Sequence, residues 1–455
     1  MYQWEESIFY HIYPLGFCGA PSSNDAVLKP SLLLDKTIAW VDHIKELGAN
    51  AIYFGPVFES LSHGYDTVDY KLIDRRLGTN QSFSDLTRLL HRNGIRVVID
   101  GVFNHVGRGF WAFEDVIENG QNSKYCSWFE NLNFNGKSPY EDTFSYESWN
   151  GCYNLIKLNL KNLEVKAYLF DVVKTWIEEF DIDGIRLDCA DSLDFEFLRQ
   201  LNSYSKAIKS DFWLMGEVVH GEGDYRSWLS DGVLDSVTNY ECYKGLYSSH
   251  NDRNFFEIAY SLNREFNVKD GLYKGKALYS FVDNHDVNRI ASTLNNETHL
   301  YSLHALLFTI PGIPSIYYGS EWGIYGKRTN ASDEYLRPKL DLLEVANNSP
   351  NKDLVKVIKK FATIRKQSNA LKYGEYKQLL VTHEQFSFAR ITEDECIIVV
   401  VNSADSIAKI DLDIPVSGRK VIDILNDEEA FPIKDGKCHI GAVYPCWARI
   451  LKVIR

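Results

Sequence analysis

Four apolar runs of this 455-residue chain end in clustered acids, amides and imidazoles. IRVVI (residues 95–99) leads into Asp100, Asn104 and His105, and IRL (185–187) leads into Asp188. FWLMG (212–216) leads into Glu217, and ALYSFV (277–282) into Asp283, Asn284, His285 and Asp286. A single acid in such a place is as readily a helix cap. Four sets at the ends of four runs, all facing one mouth, are much harder to explain by capping. Three carboxylates in one mouth suit the breaking of a glycosidic bond. Positive charge develops at the anomeric carbon and negative charge on the leaving oxygen, so one carboxylate attacks or shields the carbon while a protonated carboxyl donates to the oxygen. Like charges in a shared, partly dry site push their pKa values apart, which lets both roles coexist near neutrality. Arg186 stands two positions before Asp188. On a strand the two share a face, so the guanidinium can keep that carboxylate ionised.

The elements that must position these residues follow from the hydrophobic pattern. SIFYHIY (7–13), AIYF (51–54), IRVVI, IRL, FWLM (212–215), 233–237, 277–282 and 315–318 read as strands. Between most of them lie helix-like segments, such as 35–47 and 83–93, the latter capped by Ser82 or Ser84. The clearest helix is 165–180, where Leu169, Val172, Val173, Trp176, Ile177 and Phe180 share one face. Eight strand–helix units of this kind predict an α/β chain folded as a (β/α)8 TIM barrel, in which chemistry sits at the C-terminal ends of the strands. Residues 107–159 are rich in Asn, Gly, Ser and aromatics, have no clear period, and are too long for an ordinary loop, so they read as a functional insertion. After about residue 373 the pattern turns all-β and predicts an antiparallel β-sandwich. The expected division is residues 1–105 and 160–372 for the barrel, 106–159 for an inserted domain B, and 373–455 for the C-terminal domain.

Composition narrows the function classes. Lys and Arg total 49 against 62 Asp and Glu, a net charge of −13, and aromatics make up 14% of the chain. Acidity on this scale argues against a nucleic-acid partner or an anionic membrane surface. The apolar stretch 305–318 is too short to span a bilayer and is interrupted by Pro311 and Pro314. The N-terminal MYQWEESIFYHIYP has neither the basic nor the apolar region of a signal peptide, which predicts a cytoplasmic protein. Eight scattered cysteines with no CxxC pair argue for free thiols rather than zinc or disulfides. No phosphate-binding loop is present, as expected for a neutral sugar substrate.

With these motifs in view, the chain resembles glycoside hydrolase family 13, the α-amylase family, over nearly its whole length. DGVFNH (100–105), GIRLDCAD (184–191), GEVVHG (216–221) and FVDNHD (281–286) stand in the order of that family's four signature regions. IKLN (156–159) and HGYDTVDY (63–70) are similar to segments of its neopullulanase and cyclomaltodextrinase branch. The resemblance implies a retaining double displacement on α-glucosidic bonds, with Asp188 as nucleophile, Glu217 as acid/base and Asp286 as transition-state stabiliser. It implies that Tyr65 stacks on the sugar, that His105 and His285 bond its hydroxyls, and that Arg186 holds Asp188. Asp333 and Arg337 have the D-x-x-x-R spacing of a pair that grips the non-reducing glucose, and Asp66 is expected to buttress Tyr65. No cofactor is implied. Calcium is possible through Asn104, which matches a calcium ligand of many α-amylases.

Some positions depart from that pattern. The branch usually carries an N-terminal β domain that builds a dimer, whereas here the first strand starts near Ser7. That domain is expected to be missing, and a monomer is favoured. Val219 stands where the branch has Trp, and Asp191 where many α-amylases have Lys, both on the acceptor side. The expected activity is hydrolysis of α-1,4 bonds in maltooligosaccharides, cyclodextrins or related dextrins. The alternatives are a transglycosylase, an α-1,6-acting glucosidase, or a non-catalytic member like the amino-acid transporter heavy chains. The last is disfavoured because all three carboxylates are kept.

Overall fold

A computed structural model of the chain describes residues 3–25, 29–219, 224–329 and 332–455. His220 and Gly221, the end of the third motif, lie outside the described residues. Eight parallel strands form the central sheet: β1 (Phe9–Ile12), β2 (Ala51–Phe54), β3 (Arg96–Gly101), β4 (Gly184–Leu187), β5 (Trp213–Gly216), β6 (Ser236–Val237), β7 (Tyr279–Ser280) and β8 (Ile313–Tyr317). They pair in the order β6-β5-β4-β3-β2-β1-β8-β7. A parallel bridge between Thr238 and Tyr279 joins the two ends, so the sheet closes into a barrel. Its strands are short and buried on both faces, which is why they read as apolar runs without alternation. Phe9, Tyr53, Val98, Trp213, Met215, Tyr279 and Ile313 form one buried cluster with Trp4, separate from the main apolar core.

Several local readings shift. The helix before β3 spans Asn80–Arg92, and its cap is Thr79 rather than Ser82 or Ser84. Ser82 N–H donates to the Thr79 hydroxyl and Thr79 N–H to the Ser82 hydroxyl, a reciprocal capping box. The segment expected as a helix over 35–47 is a 3-10 helix, Leu33–Trp40, followed by the short helix Val41–Glu46. The helix before β4 starts two residues early, at Leu163, and ends with Asp181 in the left-handed region at φ 52°. β6 and β7 are only two residues long, far shorter than the apolar runs around them.

The aperiodic insertion is an ordered subdomain. It holds the helix Trp111–Asn119 and a small antiparallel sheet in which Cys152–Lys157 lies between His105–Gly107 and Ser148–Trp149. Phe113 packs edge-on against Phe129, Phe144 and Tyr146, an aromatic core that needs no sequence period. Beyond the barrel, eight antiparallel strands between Glu375 and Ile454 form one sheet that folds over on itself. Ile398, Val400 and Leu451 pack there against Ile410, Leu412 and Ile440. Among the described residues, no helix is long and apolar enough to cross a membrane.

Candidate active site

Strand register gathers the acids. Asp100 on β3 pairs with Arg186 on β4, and Gly216 on β5 pairs with Leu187. Partners across a parallel ladder face the same way, and Asp188 shares a face with Arg186 two residues earlier. The ladder continues past the strand ends: Asp188 N–H donates to Gly101 O at 3.1 Å and Glu217 N–H to Leu187 O at 2.9 Å. Asp100, Asp188 and Glu217 therefore stand side by side on one rim. Cys189 then takes a left-handed backbone, φ 38°. That turn directs its N–H to Glu217 Oε2 at 3.3 Å and its thiol to Asp188 Oδ2 at 3.3 Å.

One guanidinium ties the group together. Arg186 Nη1 lies 2.8 Å from Asp100 and 3.0 Å from Asp188, and Nη2 lies 2.8 Å from Glu217. Asp100 also accepts from the hydroxyls of Tyr53 at 2.9 Å and Tyr65 at 3.0 Å. Tyr240 hydroxyl donates to Glu217 Oε1 at 3.0 Å, and Asn284 Nδ2 donates to that hydroxyl at 3.2 Å. Burial raises the pKa of both Asp188 and Glu217, while the Arg186 charge pulls each back down. Three carboxylates against one guanidinium leave negative charge in excess, so the cluster retains a proton more readily than free carboxylates do.

A second group closes the rim. His285 Nε2 lies 3.0 Å from Asp286 Oδ2 and touches the Tyr65 hydroxyl, and the two rings lie parallel at 5.7 Å. Arg337 Nη2 donates to Asp286 Oδ1 at 3.0 Å, and its Nε to His285 O at 2.9 Å. Its guanidinium sits 4.5 Å over the Tyr13 ring, a cation–π contact that fixes the plane. Asp333 is 3.6 Å from Arg337 and is held at 2.6 Å by Arg328. His105 lies opposite, stacked at 6.0 Å on Trp149 from the insertion. Together these residues surround a cleft of about 760 Å³, enough for several sugar rings, with Asp188, Glu217 and Asp286 on its wall.

All nine residues expected at the site, Asp188, Glu217, Asp286, Tyr65, His105, Arg186, His285, Asp333 and Arg337, converge on this cleft or on its supporting network. Asp283 does not: it turns away to accept from Ser320 Oγ at 2.7 Å and Ile290 N–H at 2.8 Å. Asp66 accepts from Ser62 and so anchors the loop that carries Tyr65. Sequence reading missed Tyr13, Tyr53, Trp149, Tyr240 and Arg328. Tyr53 was within reach, since it lies next to the end of β2 and pairs with His11 on β1. Trp149 and Tyr240 lie outside any motif and come from the insertion and from the helix after β6.

The surroundings of Asn104 do not fit a calcium cage. Its side-chain Nδ2 faces His105 Nδ1 at 3.2 Å, and its backbone carbonyl accepts from Leu158 N–H at 3.0 Å. Among the described residues no three carboxylates converge beside it, and calcium normally needs six or more oxygens.

The α-amylase catalytic-domain model matches residues 34–343. The cyclomaltodextrinase of Thermoanaerobacter pseudethanolicus is 34% identical over 427 residues, covering 88% of this chain and 71% of that one. Among solved structures, the cyclic α-maltosyl-(1→6)-maltose hydrolase of Arthrobacter globiformis, in complex with cyclic α-maltosyl-(1→6)-maltose, superposes with a TM-score of 0.82 at 27% identity over 99% of both chains. A debranching enzyme of Nostoc punctiforme gives 0.81 at 28% identity over 98% of both.

Proposed function

Because this chain belongs to the α-amylase family of glycoside hydrolases, we propose that it hydrolyses α-1,4-glucosidic bonds of maltooligosaccharides, cyclodextrins or related dextrins by a retaining double displacement. The observation that carries this reading is the shared guanidinium: Asp188 and Glu217 both hang from Arg186, on different nitrogens. Two carboxylates within hydrogen-bond reach of one guanidinium, beside a thiol and backbone N–H of the same residue Cys189, support direct attack by one of them, which needs the shorter of the two carboxylate spacings. Asp188 attacks the anomeric carbon while Glu217 gives its proton to the glycosidic oxygen, and the bond to the leaving sugar breaks. Glu217, now ionised, takes a proton from water, whose oxygen displaces Asp188 and restores the original anomeric configuration.

The remaining residues position the sugar. Asp286, fixed by His285 and Arg337, accepts from ring hydroxyls as the ring flattens. His105 Nε2 is buried without a partner, and a sugar hydroxyl would satisfy it. Tyr65, tied to Asp100, presents its ring to the apolar face of glucose. Asp333 and Arg337 grip the non-reducing end. The chemistry uses side chains and water alone. The intracellular maltogenic amylase of Bacillus subtilis, 30% identical, supports the reading of a cytoplasmic dextrin-degrading enzyme.

A second reading, α-1,6 action or transfer to a sugar acceptor, is favoured by Val219. It is exposed two residues after Glu217 and offers no ring to stack an α-1,4 acceptor. It is favoured too by the names of the Arthrobacter and Nostoc relatives. Products from maltotriose, pullulan and β-cyclodextrin separate the readings. Glucose and maltose appearing first as the α-anomer by NMR are the expected result. A β-anomer appearing first overturns the double displacement. Maltotriose released from pullulan points to α-1,6 action, and products longer than maltotriose made from maltotriose point to transfer.

A further inference from the structure

Cys189 has no task in either displacement step, yet its thiol points at the attacking carboxylate. A ring nitrogen of His105, a carboxylate oxygen of Asp188 and the Cys189 sulfur all lie within 4.8 Å of one another, the one such triad among the described residues. The thiol donates to Asp188 Oδ2 at 3.3 Å, and the backbone beneath it is tied down: Cys189 is left-handed at φ 38°, and Ala190 N–H is bonded to Glu217 O at 2.8 Å. His105 is only 1% exposed, and its Nε2 has no partner. His105, Asp188 and Cys189 all line the open cleft, so an ion can reach them.

Imidazole, thiolate and carboxylate together form a donor set for a borderline-soft tetrahedral cation, with the fourth position left to water. They suit calcium or magnesium poorly, because those ions take oxygen ligands and only one of the three donors here is oxygen. We propose that the cleft contains an inhibitory site for a thiophilic divalent cation of the zinc class, held by His105, Asp188 and Cys189 in competition with the sugar. On binding, the metal–sulfur bond forms as the Cys189 thiol proton leaves to water. The lone pair on His105 Nε2 becomes available when the ring proton sits on Nδ1, where the Asn104 amide, 3.2 Å away, can turn its oxygen to accept it. The ion then occupies the carboxylate that would attack and the imidazole that would bond the sugar. The inhibition rests on the proposed glycosidase function; the binding does not.

The test titrates the full-length protein with Cd²⁺ and with Zn²⁺. Other cysteines are free, so the wild type is compared with Cys189→Ala, Cys189→Ser and His105→Gln. A saturable thiolate-to-cadmium absorption of one equivalent is expected in the wild type and absent from both Cys189 variants. Zinc affinity, read by competition with a chromophoric chelator, should fall about tenfold or more in all three variants. Zinc should raise KM for maltotriose in the wild type with kcat unchanged, reversibly with EDTA, and leave the residual activity of Cys189→Ala unaffected at the same concentration. Unchanged absorption and affinity in both Cys189 variants would place the ion elsewhere and overturn the site. Binding as expected with no competition against sugar overturns the inhibition. A protein that binds metal as expected but lacks glycosidase activity overturns the functional reading alone.

Discussion

The barrel carries a charge cluster at each end, and the two differ in how many cations serve the acids. At the mouth one cation, Arg186, faces Asp100, Asp188 and Glu217 at 2.8–3.0 Å. At the other end the buried Asp183, just before β4, faces His91 at 2.7 Å, Arg96 at 2.7 Å and Lys209 at 2.8 Å, and the more exposed Asp181 and Asp211 pair with the same three side chains. Val97 N–H adds a fourth bond to Asp183 at 2.8 Å. Burial raises Asp183 and the three carboxyls at the mouth. At the lower end His91 and Lys209 overcome that and hold Asp183 well below the usual carboxylate range. At the mouth a single guanidinium does not, and Asp188 and Glu217 stay raised. The same ingredients make a structural lock where cations match acids, and a proton-holding reactive site where acids exceed cations.

Removing a carboxylate from each end should separate these roles. Asp188→Asn and Glu217→Gln are expected to lower kcat/KM on maltooligosaccharides by about a thousandfold or more, with thermal unfolding nearly unchanged. Each removes a chemical role while leaving its volume filled, so near-wild-type turnover in either variant would remove the basis of the assignment. Asp183→Asn should do the reverse. Removing the buried anion from the three side chains that share it is expected to cost about 1–3 kcal/mol in urea unfolding, with kcat of the folded protein hardly changed.

The two ends should also answer pH differently. Glu217 must be protonated to act as acid, so activity falls as pH rises through its raised pKa. The Tyr240 hydroxyl stabilises the ionised form, so Tyr240→Phe should raise that pKa further and move the alkaline limb of kcat/KM up by about half a unit to one unit. A limb that stays put or moves down would show that another group sets it. At the lower end, the bond to Asp183 raises His91. The stability from His91 is fully present below its unfolded value and lost as pH rises through its folded one, whereas that from Asp183 is lost as pH falls through its lowered one. His91→Gln should therefore flatten the stability profile on the alkaline side by about 1 kcal/mol or less and, because His91 also helps to lower Asp183, shrink the acid-side loss as well.

Legibility in the sequence followed locality. β2 has the bounds its residues predict, because AIYF is apolar and β-rich throughout. β6 and β7 do not, because only two residues of each apolar run find ladder partners in the closed barrel. The Thr79 cap was hidden because three candidate hydroxyls stand within six residues and only the fold of the preceding loop selects one. The insertion showed no period because its core is a knot of aromatic edges rather than a helix face or a strand face. At the site, the acids were legible because each ends an apolar run. Tyr240, Trp149 and Tyr13 were not, since nothing near them in sequence marks them as different from core aromatics.

The sequence by itself determined the residue types at the strand ends, and it placed Arg186 and Asp188 on one face, because a two-residue spacing on a strand is fixed by the pleat. Tertiary structure alone decided that one guanidinium would serve Asp100, 86 residues away, as well as Asp188 and Glu217. It also decided that Trp149 from the insertion would stack on His105, and that Tyr13 would lie beneath Arg337. Those contacts depend on strand register and barrel closure, which sum over many distant pairings, and no local pattern of residues encodes them.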